Sequence, residues 1–124
     1  MKSAFLVFIG GGLGSVFRYQ LSKLLNNPVI TSIPYGTLTV NTLGSLLLGF
    51  LFGLGLRYVN LSSDLTLFFA VGFCGGFTTF STFAYENQVF LRSGDYYNFF
   101  LYTLGSLLLG IIAVFLGLVL SRIT

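Results

Sequence analysis

The chain has 124 residues, of which 55% are hydrophobic and only 7% are charged. Soluble domains carry about a quarter charged residues, so this composition predicts an all-α integral membrane protein. The net charge of +3 is spread along the chain without a basic patch, which argues against nucleic-acid binding. An enzyme is not expected either, because the chain has no histidine and no paired carboxylates.

Four stretches are long and apolar enough to cross a membrane as helices, which takes roughly 20 residues each. They run from about 3 to 25, 35 to 56, 65 to 91 and 97 to 120. Turn residues separate them, at Asn26-Asn27-Pro28, Asn60 to Asp64 and Ser93-Gly94-Asp95. Residues 1–124 are therefore predicted to form a single four-helix transmembrane domain. The first run continues through Arg18 without a clear cleavage site, so we prefer a retained span to a signal peptide.

Positive charge is divided almost evenly between the two sides of the membrane. Four spans place both termini on one side, which collects Lys2, Arg57 and Arg122, whereas Lys23 and Arg92 lie on the other. Orientation usually follows an excess of lysine and arginine in cytoplasmic loops. This weak bias leaves two interpretations open, a single orientation or insertion in both orientations as an antiparallel homodimer. The small size of the chain favours the dimer.

Three spans carry small or polar residues at helical spacing along one face. These residues are Gly11, Ser15, Arg18 and Ser22 in the first span, Thr37, Asn41 and Ser45 in the second, and Tyr102, Ser106 and Gly110 in the fourth. A single serine or threonine in a membrane helix most often bonds to a neighbouring helix. Stripes on three spans favour a polar pathway instead.

The octapeptide TLGSLLLG occurs twice, at residues 42–49 and 103–110. The two copies lie in spans that run in the same direction, so they are not an inverted repeat within the chain. Such a repeat also arises by chance in a sequence rich in leucine and glycine. Its small residues permit helices to approach closely.

The third span contains the least membrane-like segment of the chain, GFCGGFTTFSTFAYE at Gly72–Glu86. Within it, Gly75–Thr79 combines two poor helix formers with two threonines that suit the start of a new helix. We predict that the third helix is broken here. Free carbonyls at such a break suit a cation, and the start of the second half suits an anion. The alternative is an intact helix whose glycines pack closely and whose hydroxyls bond back to the chain.

Two phenylalanines follow the predicted break. Phe80 and Phe83 share a helical face and alternate with Ser81 and Thr82. Phenylalanine in a membrane protein usually fills space or contacts lipid. However, an aromatic ring is electron-poor at its edge, so two ring edges in a polar segment favour contact with a small anion.

Two ionisable groups lie inside the spans. Arg18 comes late in the first span, where it either snorkels to the interface or lies at a pore mouth. Glu86 follows the phenylalanine pair, and a carboxylate beside an anion path opposes anions. We therefore expect Glu86 to be protonated, hydrogen-bonded to donors, or used elsewhere.

Three blocks of the sequence resemble the Fluc (CrcB) fluoride channels. They are GGLGSVFRY at 11–19, GTLTVNTLGS at 36–45 and GFCGGFTTFSTFAYE at 72–86. The third block is highly specific, and the fourth span matches more loosely. Members of this family are antiparallel dual-topology dimers with two pores that export fluoride passively from bacterial cells. The resemblance therefore implies fluoride, a lipid bilayer and a second copy as partners, with a multi-pass location in the bacterial plasma (inner) membrane.

The resemblance also implies an ion path. Phe80 and Phe83 would be its pore-facing rings, and Asn41 would donate a hydrogen bond to fluoride. Its remaining polar groups would come from Thr37, Ser81, Thr82, Tyr102 and Ser106.

The resemblance further implies one structural Na⁺ on the dimer axis. The main-chain carbonyls of Gly75 and Thr78 from both subunits would hold it. Arg18 would lie near the pore vestibule and Glu86 near the pore end.

Two other functions remain open. The first is a dual-topology small-molecule exporter driven by protons, which needs a titratable group at its substrate site. Glu86 is the one carboxylate inside a predicted span, and it lies late in that span. The second is a non-transporting membrane subunit whose polar stripes only join helices.

Overall fold

The computed structural model describes residues 1–26, 32–57 and 63–123, and every regular element in these ranges is helical. Four stretches have the length and apolar character of membrane spans: Lys2–Leu25, Tyr35–Leu56, Ser63–Ser93 and Tyr96–Ile123. The four predicted spans are confirmed, and the largest difference is at the last one, which ends at residue 123 and not at 120. The predicted turns at 27–28 and 60–62 lie outside the described residues.

The third span consists of several helical segments. Helices α1 (Lys2–Leu25) and α2 (Tyr35–Arg57) precede it, and α6 (Tyr96–Ile123) follows it. The span itself begins with α3 (Ser63–Leu65), a π-helix (Thr66–Cys74) and α4 (Gly75–Phe77), which we call together the first half-helix. After a break comes α5 (Phe80–Ser93), the second half-helix.

Packing divides the helices into two groups. Helix α2 packs most extensively on α6, and α1 packs on the first half-helix, whereas α5 packs mainly on α6. A Cβ atom on Gly49 would collide with the Val114 carbonyl, and one on Gly117 would collide with the Leu46 carbonyl. Small residues therefore let the backbones of α2 and α6 touch, which is how membrane helices commonly associate.

A tight reversal joins α5 to α6. Gly94 adopts the left-handed conformation with φ of 75°, and the amide of Asp95 donates to the Phe90 carbonyl at 2.9 Å. This is the pattern of a Schellman helix end, for which glycine is preferred. The Asp95 carboxylate then accepts the backbone N–H of Asn98 and caps α6. The predicted turn is thus confirmed, and it sets α5 against α6 as an antiparallel neighbour.

The third span is broken, as predicted. Thr78 (φ −83°, ψ 157°) and Thr79 (φ −149°, ψ 117°) are extended, so the break falls at the threonines. Gly75 itself stays helical. At Gly76 a Cβ atom would collide with the Gly11 carbonyl of α1. Gly76 therefore allows close packing against α1. This role was proposed above for an unbroken helix, but Gly76 has it within the broken one.

Candidate functional site

Asn41 hydrogen-bonds to both polar groups of the extended peptide at the break. Its side-chain oxygen accepts the backbone N–H of Thr79 at 2.8 Å, and its side-chain nitrogen donates to the Thr79 carbonyl at 3.1 Å. Unpaired backbone groups inside a bilayer cost several kcal/mol each. The amide therefore supplies the partner that the Thr79 N–H has lost and adds a donor to the Thr79 carbonyl. One of its two N–H groups remains for another acceptor.

Arg18 contacts the break from the opposite side. Its Nε donates to the carbonyl of Gly76 at 3.1 Å, and Ser15 Oγ donates to the same oxygen at 3.4 Å. In a continuous helix that oxygen would accept the N–H of residue 80. A cation there also lies at the negative end of the first half-helix. This contact argues against simple snorkelling, and the position of Arg18 at a pore mouth stays a prediction.

The second half-helix begins with a cluster of hydroxyl groups. Thr79 is the N-cap of α5, and its Oγ1 accepts the backbone N–H of Thr82 at 3.3 Å. The same atom lies 3.0 Å from Thr82 Oγ1 and 3.4 Å from Ser81 Oγ. Ser81 and Thr82 thus lie at the positive end of a helix, as expected. Thr79 was predicted to suit the start of a new helix but was not among the predicted site residues.

An open groove of about 340 Å³ runs along the break. Among its lining residues are Asn41, Ser45 and Thr78, together with Phe80 and Phe83. The two phenylalanine rings lie with centroids 5.9 Å apart and planes tilted by 46°. Predicted path residues from the second and third spans therefore meet on one surface of the protein.

A second cluster of predicted residues surrounds Glu86. Thr37 Oγ1 donates to one carboxylate oxygen at 2.7 Å, and the Tyr102 hydroxyl donates to the other at 2.6 Å. Thr37 is 1% exposed and Tyr102 is 2% exposed. Glu86 is therefore tied to neutral donors, one of the three arrangements predicted for it. Tyr102 also contacts the ring of Phe83, with centroids 5.3 Å apart, so this cluster adjoins the phenylalanine pair.

Ser106 lies one helical turn after Tyr102 on α6. Its Oγ atom is buried and has no hydrogen-bond partner in the described part of the chain. A buried hydroxyl without a partner is rare in proteins and calls for an explanation such as a bound ion or water. The structure therefore does not link Ser106 to the other predicted path residues by a hydrogen bond.

The two carbonyls predicted to bind Na⁺ differ from their neighbours at the break. Donors occupy the carbonyls of Cys74, Gly76 and Thr79. Within the described residues, neither the carbonyl of Gly75 nor that of Thr78 accepts a hydrogen bond from a group outside the regular helices. Gly75 is also exposed, with open space where a side chain would be. Two free oxygens on an unwound helix are the kind of ligand that Na⁺ uses in transport proteins.

Comparison with known proteins assigns the chain to a family. The model of the family described as "CrcB-like protein, Camphor Resistance (CrcB)" matches residues 5–118. The chain belongs to the CrcB family. A CrcB relative from Phocaeicola vulgatus is 46% identical over 122 residues, covering 98% of this chain and 100% of its own length. A relative from Pyrococcus furiosus is 48% identical over 122 residues and covers 98% of both chains. Each of these relatives is named a fluoride-specific ion channel.

Membership in the CrcB family confirms the resemblance seen in the three sequence blocks. Together with the four apolar helices, it indicates a multi-pass membrane protein of a family that points to transport. The matched region, residues 5–118, contains Asn41, Phe80 and Phe83 and all other predicted site residues.

Replacing Asn41 by leucine is expected to destabilise the break. Asn41→Leu keeps the approximate size of the side chain but leaves the N–H of Thr79 without a partner and removes one donor from its carbonyl. Each unpaired buried group costs about 1–3 kcal/mol of folding free energy. Thermal unfolding of the purified protein in detergent measures the loss.

The neighbouring variant Thr42→Val is the control for this prediction. Among the described residues, the Thr42 hydroxyl bonds back to the Leu38 carbonyl of its own helix, at 2.8 Å. We expect a smaller loss of thermal stability for it than for Asn41→Leu. Equal losses would show that the amide does not hold the break.

Proposed function

We propose that this chain forms a fluoride channel in which uncharged groups replace the water around the ion. The observation that carries the proposal is the meeting of Asn41, Phe80 and Phe83 in one groove at the start of α5. Full-length relatives named fluoride-specific ion channels support the choice of ion. None of the described residues lining the groove carries a charge.

The groove and the hydroxyl cluster beside it offer the donors that a strongly hydrated anion needs. The free N–H of Asn41 lies in the groove, and Ser81 and Thr82 adjoin it through their contacts with Thr79. These groups can donate hydrogen bonds, and the positive end of α5 adds a favourable field. Edges of the Phe80 and Phe83 rings supply weak positive charge. A channel must bind its ion strongly enough to strip water and weakly enough to release it. Neutral donors meet both requirements better than a ring of buried arginines.

The path continues through the second cluster and Ser106 in this proposal. Thr37 and Tyr102 donate to Glu86, which removes much of the repulsion that a bare carboxylate would exert on an anion. The unpartnered hydroxyl of Ser106 supplies a further donor. In this scheme Arg18 lies near the vestibule and attracts the anion without lining the narrow part.

We further propose that the working unit is an antiparallel homodimer with two pores. The ring of Phe80 is 78% exposed in the single chain. It lies beside the hydroxyls of the most polar segment, so in a bilayer these polar groups need a cover other than lipid. A second copy laid over the groove would cover this ring and enclose the path. The near-even distribution of lysine and arginine supports insertion in both orientations. The dimer would lie in the plasma membrane and let fluoride leave the cell passively.

A structural Na⁺ on the dimer axis completes the proposal. The carbonyls of Gly75 and Thr78, which lack donors among the described residues, fit such a cation. When bound, the ion would supply fixed positive charge that the side chains of the groove lack.

The first prediction from the proposed function concerns passive transport. Purified protein in liposomes is expected to release fluoride, read by an ion-selective electrode, without any proton gradient, and to release chloride far more slowly. Protein-free liposomes are the control. Efflux only under a proton gradient would favour the exporter, and no efflux of either ion would favour a non-transporting subunit.

The second prediction concerns the aromatic rings. Phe80→Ile removes a ring edge from the groove and is expected to slow fluoride efflux sharply, by about tenfold if the lost contact raises the barrier by about 1.4 kcal/mol. Phe8→Ile is the matched control, because Phe8 is 77% exposed but lies on α1, away from the groove. Unchanged efflux in Phe80→Ile would refute the role of the ring.

The third prediction concerns topology. Single cysteines at exposed Ser93 or Ser3, in a Cys74→Ala background, are expected to react with a membrane-impermeant maleimide from both faces of the membrane. The two positions lie at opposite ends of the bundle and control for local access. Labelling of each position from one face alone would contradict dual topology.

A further inference from the structure

The second half-helix has few contacts within the chain, and α6 is its main neighbour. Two consecutive residues of α6 form side-chain hydrogen bonds to two consecutive residues of α5. Tyr102 donates to Glu86 at 2.6 Å, and Thr103 donates to Asn87 at 2.7 Å. The orientation of α5, which carries the phenylalanine pair, therefore depends on very few groups.

Asn87 occupies a buried position inside a helix, where asparagine is unfavourable unless its amide is hydrogen-bonded. It lies inside α5 and is 7% exposed. Asparagine is a poor residue for a helix interior because its amide competes with backbone hydrogen bonds. Here both polar atoms of the amide form hydrogen bonds: its oxygen accepts from Thr103, and its nitrogen donates to the Phe83 carbonyl at 3.0 Å. It thus links the backbone of Phe83 to α6.

The repeated octapeptide supplies an internal comparison. Thr42 and Thr103 begin the two copies of TLGSLLLG. The hydroxyl of Thr42 bonds back to the Leu38 carbonyl of its own helix, four residues earlier. Thr103 has the same local sequence, but its hydroxyl bonds to Asn87 of another helix. Thr103 therefore bonds differently from Thr42 because Asn87 of α5 lies opposite it, and not because of its own local sequence.

We propose that Asn87 and Thr103 are positioning residues of the ion path, because their hydrogen bond holds the backbone of Phe83 against α6. The proposal rests on the fluoride channel described above. Loss of the bond lets α5 rotate or shift, which moves the Phe83 ring relative to Tyr102 and to the groove. A bond that only joined two helices would affect how many channels assemble, not how well each one conducts.

Unitary fluoride current in planar bilayers separates these two roles. Thr103→Val removes the hydroxyl with little change of shape, and we expect the current through each channel to fall by about threefold, the factor of an average interhelical hydrogen bond in a membrane. Thr103→Ser keeps a hydroxyl and is expected to restore the current. Thr42→Val, the matched change in the other copy, is expected to conduct like the unmodified chain.

Asn87→Ala provides a second route if Thr103→Val assembles poorly. It removes the acceptor of the same bond, so it should lower the unitary current to a similar degree. The double variant should lose little more than either single one, because both changes break one interaction.

Two results would overturn the proposal in different ways. Unmodified channels that conduct fluoride, with Thr103→Val and Asn87→Ala conducting equally well, would refute the positioning role and leave the channel intact. An unmodified protein that passes no fluoride would refute the channel and, with it, the role of Asn87 and Thr103.

Discussion

The two hydrogen bonds between the Asn41 amide and the Thr79 peptide are the interaction on which the rest of the structure depends. A membrane helix can be interrupted only where protein groups satisfy its backbone. Asn41 from α2 and Arg18 from α1 do this from two sides of the break. The interruption in turn starts a new helix at Phe80, which brings the phenylalanine pair and the hydroxyl cluster of Thr79 to the groove.

The site combines strong hydrogen bonding with little net charge. Each oxygen of the Glu86 carboxylate accepts a hydroxyl, and the guanidinium of Arg18 is engaged by a carbonyl at the break. The described residues that line the groove are neutral. For a small, strongly hydrated anion, such a surface offers substitutes for water without binding the ion too tightly. The family membership and the chemistry of the groove therefore point to the same kind of ion.

Part of this structure was predictable because membranes impose simple rules. Long apolar runs gave the four spans, and the pairing of glycines with threonines at Gly75–Thr79 gave the break. Helical spacing also placed Thr37 and Asn41 on one face of α2, and both side chains bond to the third span. These features depend on residue type and spacing along one helix, which a sequence displays directly.

Other features depend on which helices become neighbours, and spacing does not give that. The partner of Asn41 is a peptide group 38 residues away, so the sequence suggested an ion donor but not a link to Thr79. Asn87 was not singled out, because its role depends on the contact with Thr103 on α6. The π-helix at Thr66–Cys74 was also missed, since its almost entirely apolar sequence has no periodic pattern from which its turn could be read.

The most direct test of the account is solid-state NMR of the protein in lipid bilayers, because carbon chemical shifts of Cα and Cβ report backbone conformation. The account predicts extended-type shifts at Thr78 and Thr79, flanked by helical shifts at Phe77 and Ser81. It also predicts that Asn41→Leu changes the amide shift of Thr79. Helical shifts through residues 77–81, insensitive to Asn41→Leu, would contradict it.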